Sequence, residues 1–130
     1  MDHRKHKSTE SVEDYLEAIL SLQKKNGQVR SIDIAARLGF SKPSVSVAMK
    51  NLRELEYIVM ADNGYITLTP SGRQRAEDVL ERHTLISTWL MTLGVSEETA
   101  REDACRIEHD LSEETFEALK RHVKIVRENA

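Results

Sequence analysis

Cys105, Glu108 and His109 set a thiol, a carboxylate and an imidazole at positions i, i+3 and i+4 of the run Ala104-Cys105-Arg106-Ile107-Glu108-His109. On a helix that spacing brings side chains to one face, with neighbouring Cβ atoms about 5–6 Å apart. Three donors so placed have the makings of a divalent-metal site. Further donors lie upstream: Asp14 and Glu17, three apart in the first amphipathic stretch, and His83, followed by Leu85 and Ile86. Convergence of all these residues would mix oxygen, nitrogen and sulfur ligands, a set suited to a first-row transition metal rather than Mg²⁺ or Ca²⁺. Each residue also has an ordinary structural reading. A lone cysteine packs as a small hydrophobe, Asp14 and Glu17 stabilise the first turns of a helix, and His83 is a satisfied core histidine. The shared spacing of Cys105, Glu108 and His109 favours the metal.

The elements that must position these donors follow from apolar spacing and stop signals. Val12, Tyr15, Leu16, Ile19, Leu20 and Leu22 recur at helical intervals between Ser8 and Lys25, and Asn26-Gly27 ends the pattern. Ser31 is expected to cap a short helix over 32–38 that Gly39 terminates. Ser41 is expected to cap a third helix with Pro43 in its first turn, where the missing N–H costs nothing. Val45, Ala48, Met49, Leu52 and Leu55 make the expected buried stripe of that helix. Helix, tight glycine turn and helix form a helix-turn-helix.

Two strands, 57–60 and 65–68, flank Ala61-Asp62-Asn63-Gly64, whose Asn-Gly pair is a strong hairpin signal, and supply a wing. Thr69-Pro70-Ser71-Gly72 introduces a long helix from about Arg73 to Met91, and Ser96 and Ser112, each followed by a pair of glutamates, start the last two helices. The expected fold class is mainly α with a small β-hairpin: a winged helix-turn-helix over residues 1–72, then a helical domain over 73–130.

A recognition helix offers its first turns to base edges and phosphates. Ser41, Lys42, Pro43, Ser44 and Ser46 are therefore the expected DNA contacts, with Lys50 and Arg53 nearer the backbone. Arg30 and Ser31, at the preceding helix start, offer charge and N–H groups to a phosphate. Charge is divided to match. Residues 1–75 carry a balance of +3 and residues 76–130 one of −6, so the front half can meet phosphates while the back half holds cations or a partner subunit.

With 130 residues, of which 32% are charged and 5% aromatic, catalytic folds that need a large sheet do not fit. There is no glycine-rich phosphate loop, Gly-x-Ser-x-Gly elbow or His-Glu-x-x-His motif, so neither an enzyme nor a small-molecule substrate is expected. The single cysteine excludes an intrachain disulfide and suits a reducing cytoplasm. No apolar run approaches the roughly 20 residues of a membrane span. The basic start Arg4-Lys5-His6-Lys7 runs into Ser8-Thr9-Glu10, so the chain is expected to be neither exported nor anchored.

Taken together, Glu13-Asp14-Tyr15-Leu16-Glu17, Ile34-Ala35-Ala36-Arg37-Leu38, Ser41-Lys42-Pro43-Ser44-Val45-Ser46, Leu68-Thr69-Pro70-Ser71-Gly72, Arg82-His83 and the run 105–112 resemble the diphtheria-toxin-repressor family, which includes the manganese-transport regulators. The resemblance covers essentially the whole chain. It implies a homodimeric, metal-activated transcription factor, usually a repressor of metal-uptake genes, bound to a double-stranded operator and dimerising through its helical second domain. Carried over by position, Asp14, Cys105, Glu108 and His109 look like the primary site, and Glu17 with His83 looks like the share of a second metal.

The match is mixed in character. Asp14 and Glu17 are manganese-like, whereas Cys105 stands where the iron branch has a cysteine and the manganese branch a carboxylate. Mn²⁺ or Fe²⁺ leads the expected metals, with Co²⁺ and Zn²⁺ also compatible, at one or two ions per subunit. Ser87 and Arg101 occupy positions where the iron branch carries ancillary ligands, and the chain reads as a short form lacking the SH3-like domain of longer members. Two other functions fit the same residues: a metal-free winged-helix regulator that senses oxidants through Cys105, and a metal-binding interaction module without a DNA role.

Overall fold

Leu16, Ile19 and Leu20, at the centre of the first apolar stripe, keep no more than 1% of their surface exposed, and the helices of the first half assemble around them. The computed structural model describes residues 3–129, without the side chains before Val12 and that of Arg127. The elements run α1 (His3–Asn26), α2 (Ser31–Leu38), α3 (Lys42–Glu54), β1 (Ile58–Met60), β2 (Ile66–Leu68), α4 (Pro70–Thr92), α5 (Glu97–Ile107) and α6 (Glu113–Glu128). They fall into two compact units, one ending at Asp78 and the other beginning at Val79, with α4 contributing to both.

In the first unit α1 starts earlier than Ser8, since no glycine or proline interrupts the preceding residues. The cap of α2 differs from expectation. Arg30 is the N-cap and Ser31 the first helical residue, because the Asp33 carboxylate accepts a hydrogen bond from the Arg30 main-chain N–H at 2.9 Å. Gly39 ends α2 in the left-handed conformation, φ 70°. Ser41 caps α3 as its sequence predicts, accepting from the Ser44 N–H at 3.3 Å.

Leu55 departs from the expected stripe: it lies just beyond α3 and is 46% exposed. Leu55 keeps helical dihedrals, and at about 100° per residue it falls at the edge of the stripe set by Val45, Met49 and Leu52. After it Glu56 takes φ 62°, and the bonds Tyr57 N–H to Leu52 C=O and Glu56 N–H to Arg53 C=O, both 3.0 Å, close a Schellman turn that ends the helix. Glycine normally fills that left-handed position, and none marks it here.

The strands pair antiparallel with Ile58 opposite Leu68, Val59 opposite Thr67 and Met60 opposite Ile66. Gly64 has φ 88°, and the Asn63 side chain accepts from the Tyr65 N–H at 3.1 Å, so the Asn-Gly signal marks the turn. Ile66 N–H also donates to the Val29 carbonyl at 2.8 Å, tying the wing to the chain ahead of α2. The Glu56 carbonyl accepts from Thr69 Oγ1 at 2.7 Å, which fixes the wing's return into α4. Gly72 approaches the main chain of Tyr57 so closely that an added Cβ would lie 2.8 Å from the Tyr57 carbonyl carbon.

In the second unit Val79, Ile86, Ala100, Ala104, Phe116 and Val123 form the buried set. Gly94, φ 95°, follows the end of α4. Ser96 caps α5 by accepting from the Thr99 N–H at 3.5 Å, and Ser112 accepts from the Thr115 N–H at 3.1 Å ahead of α6. Both helices carry a pair of glutamates in the first turn, where the helix dipole favours negative charge. No helix among the described residues is long and apolar enough to cross a membrane.

Candidate metal centre and DNA-reading face

The helix carrying the thiol stops short of the imidazole. α5 ends at Ile107, Glu108 is its C-cap in helical conformation (φ −57°, ψ −29°), and His109 lies in the turn beyond. The expected helical spacing therefore runs from Cys105 to Glu108 only. A donor atom from each of Cys105, Glu108 and His109 nevertheless falls within 4.8 Å of the others. With metal–sulfur and metal–nitrogen bonds of about 2.3 Å and 2.0–2.1 Å, donors that share a cation can stand up to about 4.4 Å apart. The three residues fit one ion with at most a small inward adjustment.

Glu108 sits at the middle of this group and is 1% exposed, the one charged residue in the buried set among the described residues. His83 Nδ1 lies 3.1 Å from Glu108 Oε2, and His109 Nε2 lies 3.4 Å from Glu108 Oε1. One carboxylate oxygen thus addresses each imidazole. Burying an anion is costly unless charge or hydrogen bonds compensate it, and the groups nearest this carboxylate are the two imidazoles, of which His83 is within hydrogen-bond distance. The His109 side chain is 3% exposed and that of His83 22%, whereas Cys105 is exposed. Nitrogen, oxygen and sulfur within reach of one point suit a transition metal.

The remaining predicted donors lie in the first unit. Asp14 and Glu17 are half-buried, one turn apart on α1. Tyr15 beside them is buried, and that burial, helped by the negative charge of Asp14, holds its phenol above the ordinary value of 10.0. Ser87 and Arg101 have local partners: the Ser87 hydroxyl donates to the Thr84 carbonyl at 3.1 Å, and Arg101 pairs with Glu97 at 2.8 Å.

The DNA-reading candidates also lie in the first unit. Lys42, Pro43, Ser44, Ser46 and Lys50 are exposed along α3, opposite the buried Val45, Met49 and Leu52, and Arg53 is exposed further on. Ser41 and Ser44 are partly occupied with each other, the Ser41 hydroxyl donating to Ser44 Oγ at 2.9 Å. Arg30 is exposed and its guanidinium lies 4.3 Å from the centre of the Tyr65 ring, so the turn end of the wing meets the start of α2 at a cation, while Ser31 is half-buried.

Val47 escaped the sequence reading, and Arg82 entered it only as part of the matched pair Arg82-His83, with no role of its own. Val47, 71% exposed, stands on the outward side of α3, where helical periodicity alone gives an apolar residue no role. Arg82 donates to the main-chain carbonyl of Glu108, and its only signal in sequence is its place next to His83.

A winged helix-turn-helix, followed by helices that gather a thiol, an imidazole and a buried carboxylate, defines a class of DNA-binding regulators with a metal-binding domain. Residues 7–67 match the iron-dependent repressor N-terminal DNA-binding domain, and residues 69–129 match the iron-dependent repressor metal-binding and dimerisation domain. The chain belongs to the iron-dependent repressor family, whose members are transcriptional regulators and not enzymes.

Among its relatives, the transcriptional regulator MntR of Salmonella typhimurium is 42% identical over 110 residues, which span 85% of this chain and 70% of that protein. The HTH-type transcriptional regulator MntR of Geobacillus kaustophilus is 38% identical over 104 residues, 80% of this chain and 74% of that one. Among solved structures, the manganese regulator SloR aligns with a TM-score of 0.78 at 27% identity, covering 87% of this chain and 53% of SloR. IdeR of T. acidophilum aligns at 0.74 and 30% identity, covering 85% and 52%. The chain spans about half the length of these solved relatives.

Proposed function

We propose that this chain acts as a homodimeric, metal-activated regulator that binds a double-stranded operator and represses metal-uptake genes when a divalent transition metal is bound. The observation that carries the reading is Glu108: a carboxylate with 1% exposure, gathered with the Cys105 thiol and the His109 ring within 4.8 Å. Asp14, Cys105, Glu108 and His109 would hold the primary ion, and Glu17 with His83 would serve a second. The working boundary between the reading head and the metal-binding, dimerising part falls at residues 72 and 73, and the cytoplasm is the setting that a free thiol and a DNA target require.

A bound divalent cation supplies the positive charge that lets several carboxylates share a small volume. The residues themselves do the rest. Asp14 and Glu17 belong to the helix on which the winged helix-turn-helix is built, while Cys105, Glu108 and His109 belong to the second unit, so shared coordination couples the reading head to the dimer. Without the ion nothing would hold the two units' carboxylates together and the paired heads would sample several separations; with it, the heads would keep one spacing, matched to half-sites about 34–36 Å apart in successive major grooves. Lys42, Ser44, Ser46 and Lys50 on α3, with Arg30 at the start of α2, then meet bases and phosphates.

Metal identity follows from donor softness. MntR relatives and the manganese regulator SloR support Mn²⁺, whereas the Cys105 thiolate draws the preference towards Fe²⁺, Co²⁺ and Zn²⁺. DNA retention measured across Mn²⁺, Fe²⁺, Co²⁺ and Zn²⁺, with bound metal counted per subunit, tests the function. Retention that rises with one or two equivalents of at least one of these ions, and is lost in Glu108→Ala, is the expected result. Retention independent of every metal refutes it.

A further inference from the structure

Arg82 and His83 are neighbours in α4, and they take hold of one residue at both ends. His83 Nδ1 stands 3.1 Å from the Glu108 carboxylate, while Arg82 Nη1 donates to the Glu108 main-chain carbonyl at 3.2 Å. The same nitrogen donates to the Leu111 carbonyl at 2.9 Å, and the guanidinium carbon lies 5.0 Å from the centre of the Phe116 ring. Arg82 Nη2 pairs with Glu113 Oε2 at 2.8 Å, where the Glu113 side chain is 76% exposed. Only 19% of the Arg82 side chain reaches solvent.

Local chemistry explains the arrangement. Carbonyls at the C-terminal end of α5 have no partner within the helix and form the negative end of its dipole. A guanidinium is a planar fork that serves several acceptors while its face rests on an aromatic ring, and the compact ammonium of lysine cannot reproduce that. Arg82 therefore works as a cap supplied from another helix. It fastens the turn from which both Glu108 and His109 project.

We propose that Arg82 is a positioning residue of the metal centre, fixing the Glu108 main chain so that its carboxylate faces Cys105 and His109. It touches no metal. Residues that support a ligand in this way typically change metal affinity by about 10–100-fold when removed. The exposed pair with Glu113 contributes little, as surface ion pairs do, and its loss should leave the site intact.

Because the inference rests on the metal reading, Co²⁺ titrations of the full chain begin with wild type and Glu108→Gln, followed by Arg82→Gln, Arg82→Lys and Glu113→Gln. Affinity, the thiolate-to-Co²⁺ charge-transfer band and far-UV circular dichroism are recorded for each. Arg82→Gln is expected to bind Co²⁺ about 10–100-fold more weakly with an altered charge-transfer band and unchanged helicity, Arg82→Lys to fall between it and wild type, and Glu113→Gln to stay within about twofold of wild type. Wild-type affinity and spectrum in the Arg82 variants overturn the proposal, as does a Glu113→Gln loss equal to that of Arg82→Gln. If Arg82→Gln does not fold, the Arg82→Lys spectrum and affinity decide alone. Equal Co²⁺ binding by wild type and Glu108→Gln removes the site itself and the role of Arg82 with it, whereas a site lost in Glu108→Gln but untouched in the Arg82 variants removes only that role.

Discussion

His83 Nδ1 lies 3.1 Å from Glu108 Oε2, so a side chain of α4 meets the carboxylate at the end of α5 in the interior of the second unit. Without metal the pair is joined by this hydrogen bond, and under the proposed function the same two side chains would turn to a bound metal. Exchanging one partner for the other is how a buried carboxylate can serve both states.

Replacing that carboxylate should separate the metal site from the fold. Glu108→Gln keeps the size and leaves an amide that can still hydrogen-bond, but it removes the charge. Metal affinity should fall by more than the roughly 10–100-fold typical of residues that only support a ligand, with helicity preserved. Calorimetric titration of metal into the two proteins, beside their circular dichroism spectra, makes the comparison, and wild-type affinity in the variant would place the site elsewhere.

Lys50 is exposed on α3, and the proposed function assigns it to a phosphate rather than a base. Lys50→Ala should weaken binding to all sequences about equally and reduce the dependence of log K on log salt by about one unit. Binding isotherms at several salt concentrations give the slope directly. An unchanged slope puts Lys50 away from the backbone.

Glu56 holds a left-handed conformation, φ 62°, at the end of α3. For a residue with a Cβ that conformation costs roughly 1–2 kcal/mol, and glycine escapes it while losing about 0.5–1 kcal/mol more chain entropy on folding. The strain term is the larger. Glu56→Gly should therefore stabilise the protein by up to about 1 kcal/mol, seen as a higher urea midpoint at unchanged slope. A lower midpoint would mean that the Glu56 side chain contributes more than its backbone costs.

Gly72 makes the opposite case. A methyl group there would strike the Tyr57 main chain, which cannot move aside without disturbing the Thr69 to Glu56 hydrogen bond at the root of the wing. Gly72→Ala should destabilise by about 1–3 kcal/mol, the range for overpacked sites. Thermal unfolding checks it, and a wild-type midpoint would show that the wing can shift without cost.

Most of the fold was legible because its signals are local. Helical spacing of Leu16, Ile19 and Leu20, the caps Ser41, Ser96 and Ser112, and Asn63-Gly64 each act over a few residues, and each element formed where they pointed. Failures came where a distant or unusual partner decides. Ser31 lost the cap to Arg30 because Asp33 reaches back to it, and α3 ended at Leu55 with no glycine to mark the stop because Glu56 adopts a turn that sequence associates with glycine.

That Cys105, Glu108 and His109 come together was legible by type and spacing, although His109 enters the group from a turn. Its burial was not: nothing in Cys105-Arg106-Ile107-Glu108-His109 announces that the glutamate is 1% exposed while the cysteine lies open. That depends on where α4 brings His83 and Arg82, 25 and 26 residues away in sequence.

Metal and operator must assist each other if the coordination described above sets the reading heads, since coupling between two binding sites is reciprocal. The most direct measurement is a Mn²⁺ or Fe²⁺ titration of the protein alone and in complex with a duplex that the metal-loaded protein selects from a random pool. Metal affinity higher by about 5–150-fold on the duplex, equivalent to about 1–3 kcal/mol, is predicted. Equal affinities with and without DNA would contradict the account.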